Sequence, residues 1–526
     1  MVENIDVSAK ENNKEIVHFW STCVGAGRAN EGLRANWQKQ LSTVVKNCGF
    51  KYIRFHGLFN KDMFIYREEE NKAIYNWQYV DELFDSLLDI GIRPFVEFGF
   101  CPEDMASSSN TQFWWNGYVS PPKDYDKWGC LIKKCLIHWI ERYGLDEVRQ
   151  WYFEVWNEPN LFAFWASTKK LYFELYKVSA LSIKEVDSLL RVGGPATSNF
   201  VPDDRFVKDM EDTSKQMTFK VNDIDKQKWE AVWLKDFIDY CCSENLPVDF
   251  ISTHPYPTDF ALDGHGKTRG LSREVNSTQQ DLKWLRNFID KSEYPNAEIH
   301  LTEWSSSPSP RDFAHDYLPA ATFVVKSNIE SLNLVDSLSY WTFTDVFEEG
   351  GAGDTIFHGG FGMINFQSIV KPTFHAYRFL NYLGDNEVSR SDGYIITRFK
   401  EDNRISALIY NYPNEVSQAV PISPYPNWNV AEKTLATGAN KKLNFKLRDL
   451  SPSTKFIVET LDANHGFAFK KWKEMGMKAS LTRAQIEVIK ESALATKKEY
   501  YEVREDGILE INKEVEPWSL ISIRQL

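Results

Sequence analysis

Two glutamates, Glu158 and Glu303, end apolar, aromatic segments where a buried strand would ordinarily carry another apolar side chain. Glu158 closes Trp-Tyr-Phe-Glu-Val-Trp-Asn-Glu at positions 151–158, and Glu303 closes Ile-His-Leu-Thr-Glu at positions 299–303. Burying a lone carboxylate in such a place is costly, so two of them indicate a shared site. A proton donor and a nucleophile facing one bond are what cleavage of a glycosidic bond requires.

The neighbours of the two carboxylates favour different roles for them. Arg54 ends another predicted strand, and an ion pair with Glu303 would orient that carboxylate and keep it ionised, as a nucleophile requires. Glu158 has no obvious cation nearby, and a carboxyl group beside a second carboxylate and aromatic walls suits a proton donor. The alternatives are structural: Glu158 would cap a strand end, and Glu303 would serve only to pair with Arg54.

Local sequence also predicts how these side chains are aimed. Pro159 disfavours the helical region for the residue before it, so Glu158 is expected to stay extended and to project from the strand end. Asn157 is expected on the other side of the pleat, where its amide can bind a substrate hydroxyl. On the other strand, a period of two places Glu303 on the same face as Leu301.

Short apolar segments alternate with amphipathic helical segments from about residue 17 to residue 384. Most of the apolar segments lack polar alternation, as parallel strands covered on both faces do; they are 17–24, 52–56, 94–100, 151–157, 191–194, 248–254, 298–303 and 338–343. The predicted helices are 34–48, 79–90, 127–143, 170–189, 231–244, 279–291, 316–331 and 372–383. This order favours a (β/α)8 barrel over an open doubly wound sheet, because no Gly-x-Gly-x-x-Gly turn follows a strand.

The pattern changes after about residue 384, where short strand-like segments separated by turn residues follow one another. We therefore predict a catalytic barrel over residues 15–384 and an antiparallel β-sandwich module over residues 385–526. One helical insertion is expected in that module, at 482–495. Residues 1–14 are expected to contribute a strand to it.

Polar residues collect at the predicted C-terminal strand ends, where chemistry lies in barrels of this kind. They include His56, Glu97, Asn157, His254 and Tyr256. The histidines raise the alternative of a metal site, but no ligand spacing such as His-x-x-x-His occurs, so we predict neither a metal nor a cofactor. A serine hydrolase is conceivable, but no Gly-x-Ser-x-Gly elbow is present. Binding of sugar hydroxyls is the favoured use of these groups.

Bulk composition narrows the classes of partner. A net charge of −13 argues against nucleic acid and anionic membranes, and no apolar run is long enough to span a bilayer. Seven cysteines without metal spacing are typical of thiols in a reducing compartment. Residues 1–15 lack the apolar core of a signal peptide, which predicts a cytoplasmic protein, or a periplasmic or secreted one if a signal has been removed. The oligomeric state stays open.

The ordered set of motifs resembles glycoside hydrolase family 39, the family of β-xylosidases and α-L-iduronidases, over nearly the whole chain. The matching segments are Cys-Val-Gly-Ala-Gly-Arg at 23–28, Lys-Tyr-Ile-Arg at 51–54, His-Gly at 56–57, Gly-Ile-Arg-Pro-Phe-Val-Glu at 91–97, Pro-Pro-Lys-Asp-Tyr at 121–125, Phe-Glu-Val-Trp-Asn-Glu-Pro-Asn at 153–160, Thr-Glu at 302–303, Tyr-Trp-Thr-Phe at 340–343, Asp-Val-Phe-Glu-Glu at 345–349 and Phe-His-Gly-Gly-Phe-Gly at 357–362. The Asn-Glu-Pro triplet alone marks only the wider clan of retaining barrel glycosidases.

The resemblance implies that Glu158 is the acid/base and Glu303 the nucleophile, with retention of configuration. It implies that the pocket is lined by His56, Asn157, His254, Tyr256, Trp341, Glu348 and Glu349. Trp341 would form the stacking floor beneath the sugar, and the clan often has a cis peptide bond after this residue.

Three departures from the family pattern concern the choice of sugar. Phe55 stands before His56 where a small glycine is expected, segment 203–233 is longer and more charged than expected, and loop 305–312 is rich in serine and proline. They predict a poor β-xylosidase or a preference for another neutral sugar, because small pocket changes shift specificity. The competing view is that Phe55 packs behind the barrel.

The acidic pair Glu348 and Glu349 is expected to repel an anionic sugar, which favours a neutral substrate over a uronide. The predicted function is therefore an exo-acting retaining hydrolase that cleaves a neutral β-linked sugar from a glycoside or oligosaccharide. The alternative is a carbohydrate-binding protein that has kept the barrel and lost catalysis.

Overall fold

Eight parallel strands close into a barrel at the centre of the computed structural model, which describes residues 2–11, 14–198, 231–262, 268–419 and 428–526. Each strand pairs with the next along the chain, and the last closes on the first through Tyr340 and Val24. The strands are β1 (Cys23–Arg28), β2 (Tyr52–His56), β3 (Arg93–Phe98), β4 (Tyr152–Val155), β5 (Arg191–Ser198), β6 (Phe250–His254), β7 (Glu298–Trp304) and β8 (Ser337–Tyr340). The predicted barrel is confirmed.

One helix follows each strand and covers the outside of the barrel. These are α1 (Ala35–Cys48), α2 (Gln78–Ile90), α3 (Tyr125–Tyr143), α4 (Lys169–Val186), α5 (Leu234–Ser243), α6 (Ser277–Ile289), α7 (Leu318–Glu330) and α8 (Pro372–Leu380). Capping residues fix several of their ends. Gly91 ends α2 with a φ of 91°, which suits a residue without Cβ, and the Asp124 carboxylate accepts from the backbone N–H groups of residues 126 and 127 at the start of α3.

The first strand differs from its prediction over residues 17–24. Phe19–Ser21 forms a 3-10 turn, and β1 begins only at Cys23 and runs through a glycine-rich segment. All six residues of β1 are buried, and they pair with both β2 and β8. Barrel closure therefore overrides the weak strand propensity of glycine.

Two further sheets lie beside the barrel. Seven strands pair in the order Lys14–Glu15, Asn386–Ser391, Tyr394–Arg398, Ile405–Tyr410, Leu520–Gln525, Lys455–Leu461 and Lys497–Glu502. The second sheet has the order Val2–Ser8, Lys441–Arg448 and Leu509–Val515, and its first pair is parallel. Side chains of both sheets form one apolar core that includes Ile5, Phe445, Ile396 and Ile523. This is a β-sandwich with one parallel pair in an otherwise antiparallel arrangement.

Shorter elements complete the described chain. The sequence predicts one helix after the barrel; the structure has Trp428–Leu435, Ala468–Glu474 and Arg483–Leu494. Small hairpins and turns lie in the loops around the barrel: Ala29–Leu33, Lys61–Met63, Tyr66–Glu69 with Lys72–Tyr75, Thr111–Gln112 with Gly117–Tyr118, Leu145–Val148, Thr258–Leu262 with Thr268–Ser272, and Phe313–Asp316. None of the described helices is long and apolar enough to cross a membrane.

His375 on α8 marks the contact between the barrel and the last helix. Its Nε2 lies 2.7 Å from the Ala493 carbonyl oxygen, and its Nδ1 lies 2.9 Å from an Arg378 nitrogen, which can only donate. Both ring nitrogens are therefore satisfied in the neutral form. Burial, reinforced by the charge of Arg378, lowers the pKa of His375 to about 3.

This buried neutral histidine predicts acid sensitivity. Because its pKa is depressed on folding, the stabilisation is fully present above the ordinary histidine pKa near 6.5 and is lost as the pH falls towards about 3. We expect the free energy of unfolding to fall by up to about 1.4 kcal/mol per pH unit in that window. His375→Gln should flatten this dependence, measured by denaturant unfolding at pH 7 and pH 4.5. Equal slopes in both proteins would contradict the prediction.

Candidate active site

Arg54 lies fully buried inside the barrel and joins four side chains. Its Nε lies 2.5 Å from Glu154 Oε2, Nη1 lies 2.8 Å from Glu303 Oε1, and Nη2 lies 2.9 Å from Asn157 Oδ1 and 3.0 Å from Glu97 Oε2. Burial opposes its charge, but the carboxylates around it more than offset this and raise the pKa of Arg54. The guanidinium therefore stays charged and holds four acceptors at fixed places.

Glu303 is the carboxylate that this cation orients. Burial opposes its ionisation, but His254, the hydrogen bond from His56 and the charge of Arg54 together hold the pKa of Glu303 well below its usual range. His56 Nε2 lies 3.3 Å from Oε1, and the Tyr256 hydroxyl donates to Oε2 at 3.1 Å. The predicted ion pair with Arg54 is present, and Glu303 is an ionised carboxylate held by donors on both oxygens.

A bulge in β7 aims Glu303 into the barrel. The pairing of β7 with β8 shifts register between Leu301 and Trp304. Leu301 packs into the apolar core outside, whereas the Thr302 hydroxyl donates to Glu154 Oε1 at 2.7 Å inside the barrel. The expectation that Glu303 shares the face of Leu301 is therefore wrong, since the bulge turns two consecutive side chains inward.

Glu158 reaches the same pocket by an irregular backbone. Its φ is 44° and that of Trp156 is 74°, so the predicted extended conformation of Glu158 is wrong. The Glu158 N–H donates to the Ala196 carbonyl oxygen at 2.9 Å, which ties this turn to the neighbouring strand. As a result Asn157 and Glu158 both point into the pocket, although an ideal pleat would separate them.

His254 shares a proton with Glu158. Its Nδ1 lies 3.0 Å from Glu158 Oε1, and its Nε2 lies 2.9 Å from Thr302 Oγ1. The Thr302 hydroxyl already donates to Glu154, so its oxygen accepts from Nε2–H. One proton must then lie between His254 Nδ1 and Glu158, on one or the other. Sequence patterns gave Glu158 no such neighbour, because the two residues meet only through the fold.

His56 is held between carboxylates. Its Nδ1–H donates to Glu97 Oε2 at 2.6 Å, and its Nε2 lies 3.3 Å from Glu303 Oε1 and 3.5 Å from Glu349 Oε1. Burial opposes protonation, but Glu97 and Glu303 raise the pKa of His56 well above its ordinary value. His56 is therefore a donor at both ring nitrogens. Glu97, noted in the sequence only as a polar strand end, sets this state.

Trp341 lies at the end of β8, 2% exposed, with its ring 4.9 Å from that of His56. The peptide bond that follows it is cis, as expected. A Cβ atom on Gly25 would come within 2.3 Å of the Trp341 ring. The glycine of β1 is therefore required for the tryptophan to occupy this position.

Glu348 and Glu349 diverge at the rim of the pocket. The Glu348 carboxylate pairs with Arg34 and lies 3.1 Å from Arg28 Nη2, so its charge is compensated by two cations. Burial, partly opposed by His56 and reinforced by Glu303, raises the pKa of Glu349 well above its ordinary value. The rim is therefore much less acidic than expected from the sequence, and Glu349, which lies beside His56, is the closer of the two to the catalytic candidates.

Of the three departures from the family pattern, Phe55 and loop 305–312 lie among the described residues. Arg54 and His56 face the barrel interior, so Phe55 between them faces outward, where it joins the apolar core and is 5% exposed. The competing view of Phe55 therefore holds. Segment 203–233 falls almost wholly outside the described residues. Loop 305–312 is described, and Ser305, Ser306 and Ser307 are buried there.

One oxygen of Glu158, one of Glu303 and a nitrogen of His254 lie within 4.8 Å of one another. Such a cluster could in principle hold a metal ion. However, Glu303 Oε1 already accepts from Arg54, whose positive charge would repel a second cation, and both His254 nitrogens are engaged. The two carboxylates therefore face one another across a single pocket, which is the arrangement that glycosidic bond cleavage requires.

Known proteins resemble this chain in both sequence and fold. The family model for glycosyl hydrolases family 39 matches residues 3–510. A β-xylosidase of Geobacillus stearothermophilus is 36% identical over 498 residues, 93% of this chain and 88% of that protein. A β-xylosidase of Caldicellulosiruptor saccharolyticus is 35% identical over 518 residues, covering 97% and 95%. The crystal structure of a monomeric β-xylosidase from Caulobacter crescentus CB15 superposes with a TM-score of 0.85 at 30% identity, covering 100% of this chain and 99% of that one.

The His56–Glu97 contact generates a prediction for pH dependence. Glu97→Gln removes the negative charge that favours the imidazolium form of His56, so the histidine should lose its proton at lower pH. The basic limb of the kcat/KM profile should shift towards lower pH, while the fold survives because glutamine preserves the shape. An unchanged basic limb, with activity lowered uniformly at all pH values, would show that Glu97 acts only structurally.

Proposed function

Because the chain belongs to glycosyl hydrolases family 39, we propose that it removes a terminal neutral β-linked sugar by double displacement, with Glu303 as nucleophile and Glu158 as acid/base. The observation that carries this assignment is the approach of the two carboxylates to within 4.8 Å beside different partners. Glu303 is ionised by Arg54 and its donors, whereas Glu158 shares a proton with His254. Unequal environments of this kind separate a base from an acid.

In the first step, Glu303 attacks the anomeric carbon while Glu158 donates its proton to the glycosidic oxygen. The glycosidic bond breaks, the leaving group departs as an alcohol, and a covalent glycosyl–Glu303 ester forms. In the second step, Glu158, now ionised, takes a proton from water as the water oxygen attacks the anomeric carbon. The ester bond breaks, Glu303 leaves as a carboxylate, and two inversions give net retention.

Contacts around the carboxylates support a set of substrate-binding residues. His56, Asn157 and Tyr256 each contact the Arg54–Glu303 pair and therefore border the same space. The Asn157 amide N–H groups and the Tyr256 hydroxyl oxygen keep hydrogen-bonding capacity for a substrate. We further propose that Glu349 binds hydroxyls and that Trp341 supports the sugar ring, while His254 lines the pocket and positions Glu158, since both of its nitrogens are engaged. Glu348 is assigned a rim role, since its carboxylate is engaged by arginines.

A neutral sugar fits the charges better than a uronide does. A substrate carboxylate would require a cation free to bind it. Arg54 and His56 already pair with carboxylates inside the pocket, and Arg28 pairs with Asp62 and Glu348 at the rim. Because Phe55 lies outside the pocket, it no longer supports the prediction of a poor β-xylosidase. Two relatives that match nearly the whole chain are β-xylosidases, so β-xylosides are the first candidates.

The alternative from the sequence, an inactive carbohydrate-binding protein, gains no support. Keeping five buried or half-buried carboxylates close together is energetically costly, and a protein without catalysis would have no need to retain them. The five are Glu97, Glu154, Glu158, Glu303 and Glu349. All five are present, and each has an oxygen within 3.5 Å of an arginine or histidine nitrogen. The chain is accordingly a glycoside hydrolase.

Variants of the two glutamates test their roles. Glu303→Ala should reduce turnover of all substrates by several orders of magnitude, and azide should restore it with formation of a glycosyl azide of inverted configuration. Glu158→Ala should spare substrates with activated leaving groups, which need little protonation. Wild-type product should retain the anomeric configuration in a proton NMR time course; an inverted product would overturn the assignment.

Glu459→Gln provides a matched control for the loss of a buried glutamate. Glu459 is 1% exposed and pairs with Arg378 and Arg524, remote from the pocket. We expect it to lower the melting temperature and to leave kcat per folded molecule nearly unchanged. A loss of activity equal to that of Glu303→Ala would mean that the glutamate variants report on folding and not on chemistry.

A panel of aryl glycosides tests the sugar. We expect the highest kcat/KM on a neutral β-glycoside, with the β-xyloside ahead of the α-L-iduronide by about 100-fold or more, since the pocket cations are already paired. A preference for the iduronide would overturn the neutral assignment. A preference for another neutral β-glycoside would overturn only the choice of xylose. It would support the prediction that segment 203–233 and loop 305–312 alter the choice of sugar.

A further inference from the structure

Trp114 is unusually exposed. Its exposed fraction is 60%, and among the tryptophans of the described ranges it alone falls in the exposed class. It lies in the tight connection between Thr111–Gln112 and Gly117–Tyr118, where Phe113 and Asn116 have φ values of 63° and 55°. An exposed indole gains nothing from burial, so its presence at this tip requires another explanation.

The ring is nonetheless fixed in place. The Trp114 indole N–H donates to the Glu348 carbonyl oxygen at 2.9 Å. The Arg28 guanidinium lies 5.4 Å from the Trp114 ring centroid and is itself held by Asp62 and Glu348. Because Arg28 covers one face of the indole, the exposed area belongs to the remainder of the ring.

The position of Trp114 is tied to the catalytic pocket by two routes. On one side, Arg28 also lies 5.3 Å from the Trp115 ring, which stacks on Phe100, which in turn stacks on His56. On the other side, the residue after Glu348 is Glu349, whose carboxylate lies 3.5 Å from His56 Nε2. Trp114 is thus connected to His56 both through the Arg28–Trp115–Phe100 contacts and through residues 348–349.

We propose that Trp114 is a binding platform for the sugar on the leaving-group side of the cleaved bond. The occupant is the second residue of a neutral oligosaccharide, whose C–H face stacks on the indole while the terminal sugar lies on Trp341. This inference rests on the proposed hydrolase function and deepens it by naming a residue that selects oligosaccharides over simple glycosides.

The chemistry of the rim supports a neutral sugar as this occupant. A flat, rigid aromatic face binds the apolar face of a sugar at little entropic cost, because the ring is already immobilised. The charges beside it are paired, Arg28 with Asp62 and Glu348 and Arg34 with Glu348. Sugar hydroxyls can still accept from Arg28 or donate to these carboxylates. A charged sugar would find no unpaired opposite charge among these groups.

Two substrates that differ only in the leaving group test the proposal. Once the panel has fixed the sugar, its glycosyl fluoride occupies the terminal position alone, and its disaccharide occupies both. Trp114→Ala should lower kcat/KM on the disaccharide by about tenfold or more and change that on the fluoride by less than about twofold. Trp114→Phe, which keeps an aromatic face, should retain most of the disaccharide activity.

Tyr500→Ala is the matched control, since Tyr500 is 70% exposed on the sandwich, and it should alter neither substrate. An equal fall on fluoride and disaccharide would mean that Trp114 only positions the loop, and no fall on the disaccharide would mean that the ring does not bind it; either result overturns the proposal. Failure of the proposed hydrolase function looks different, because the wild-type enzyme would then hydrolyse neither the fluoride nor the disaccharide.

Discussion

The Arg54 side chain is fully buried, so water cannot solvate its positive charge. Groups inside the barrel must compensate that charge instead. The compensation comes from four directions: Glu97 at the end of β3, Glu154 on β4, Asn157 just after β4, and Glu303 on β7. One cation on β2 therefore links β3, β4 and β7 across the barrel interior and places the reactive carboxylate. Removing it would leave several buried charges unpaired, which is far more costly than the pair itself is stabilising.

Around that cation the protons are divided between two histidines. His56 is flanked by carboxylates that favour its charged form, whereas His254 faces a hydroxyl on one side and the Glu158 carboxyl on the other. Both histidines reach the centre of the site and both favour the ionised form of Glu303, but only His254 also contacts Glu158, with which it shares a proton. The asymmetry between two chemically identical carboxyl groups thus comes from the atoms that each histidine nitrogen contacts.

Much of the barrel could be predicted from the sequence because each strand is a local apolar run with polar residues where it ends. The same local signal identifies Glu158 and Glu303. It fails where the backbone departs from ideal geometry: the bulge after Leu301 and the positive φ of Glu158 decide which side chains enter the pocket. Neither feature changes the hydrophobic periodicity of the sequence, because both are imposed by pairing with neighbouring strands.

Contacts between segments far apart in the chain could not be predicted from the sequence either. The pairing of Glu348 with Arg28 and Arg34 joins segments more than 300 residues apart, and it changes the expected acidic rim into a largely compensated one. The helices Trp428–Leu435 and Ala468–Glu474 were missed as well, because each is short and takes much of its stability from packing against the barrel. Composition alone does not encode such contacts.

The parallel pairing of Val2–Ser8 with Lys441–Arg448 has a consequence for biosynthesis. Val2 pairs with Lys442, so about 440 residues must be translated before the first strand meets its partner. At about 5–20 residues per second, this takes roughly 20–90 seconds. The edge of this strand stays unpaired throughout that interval, whereas the barrel can close only in its last part, once β8 has been translated. The nascent chain thus carries Val2–Ser8 as an unsatisfied strand edge, which is the kind of surface that chaperones bind and that promotes association between chains.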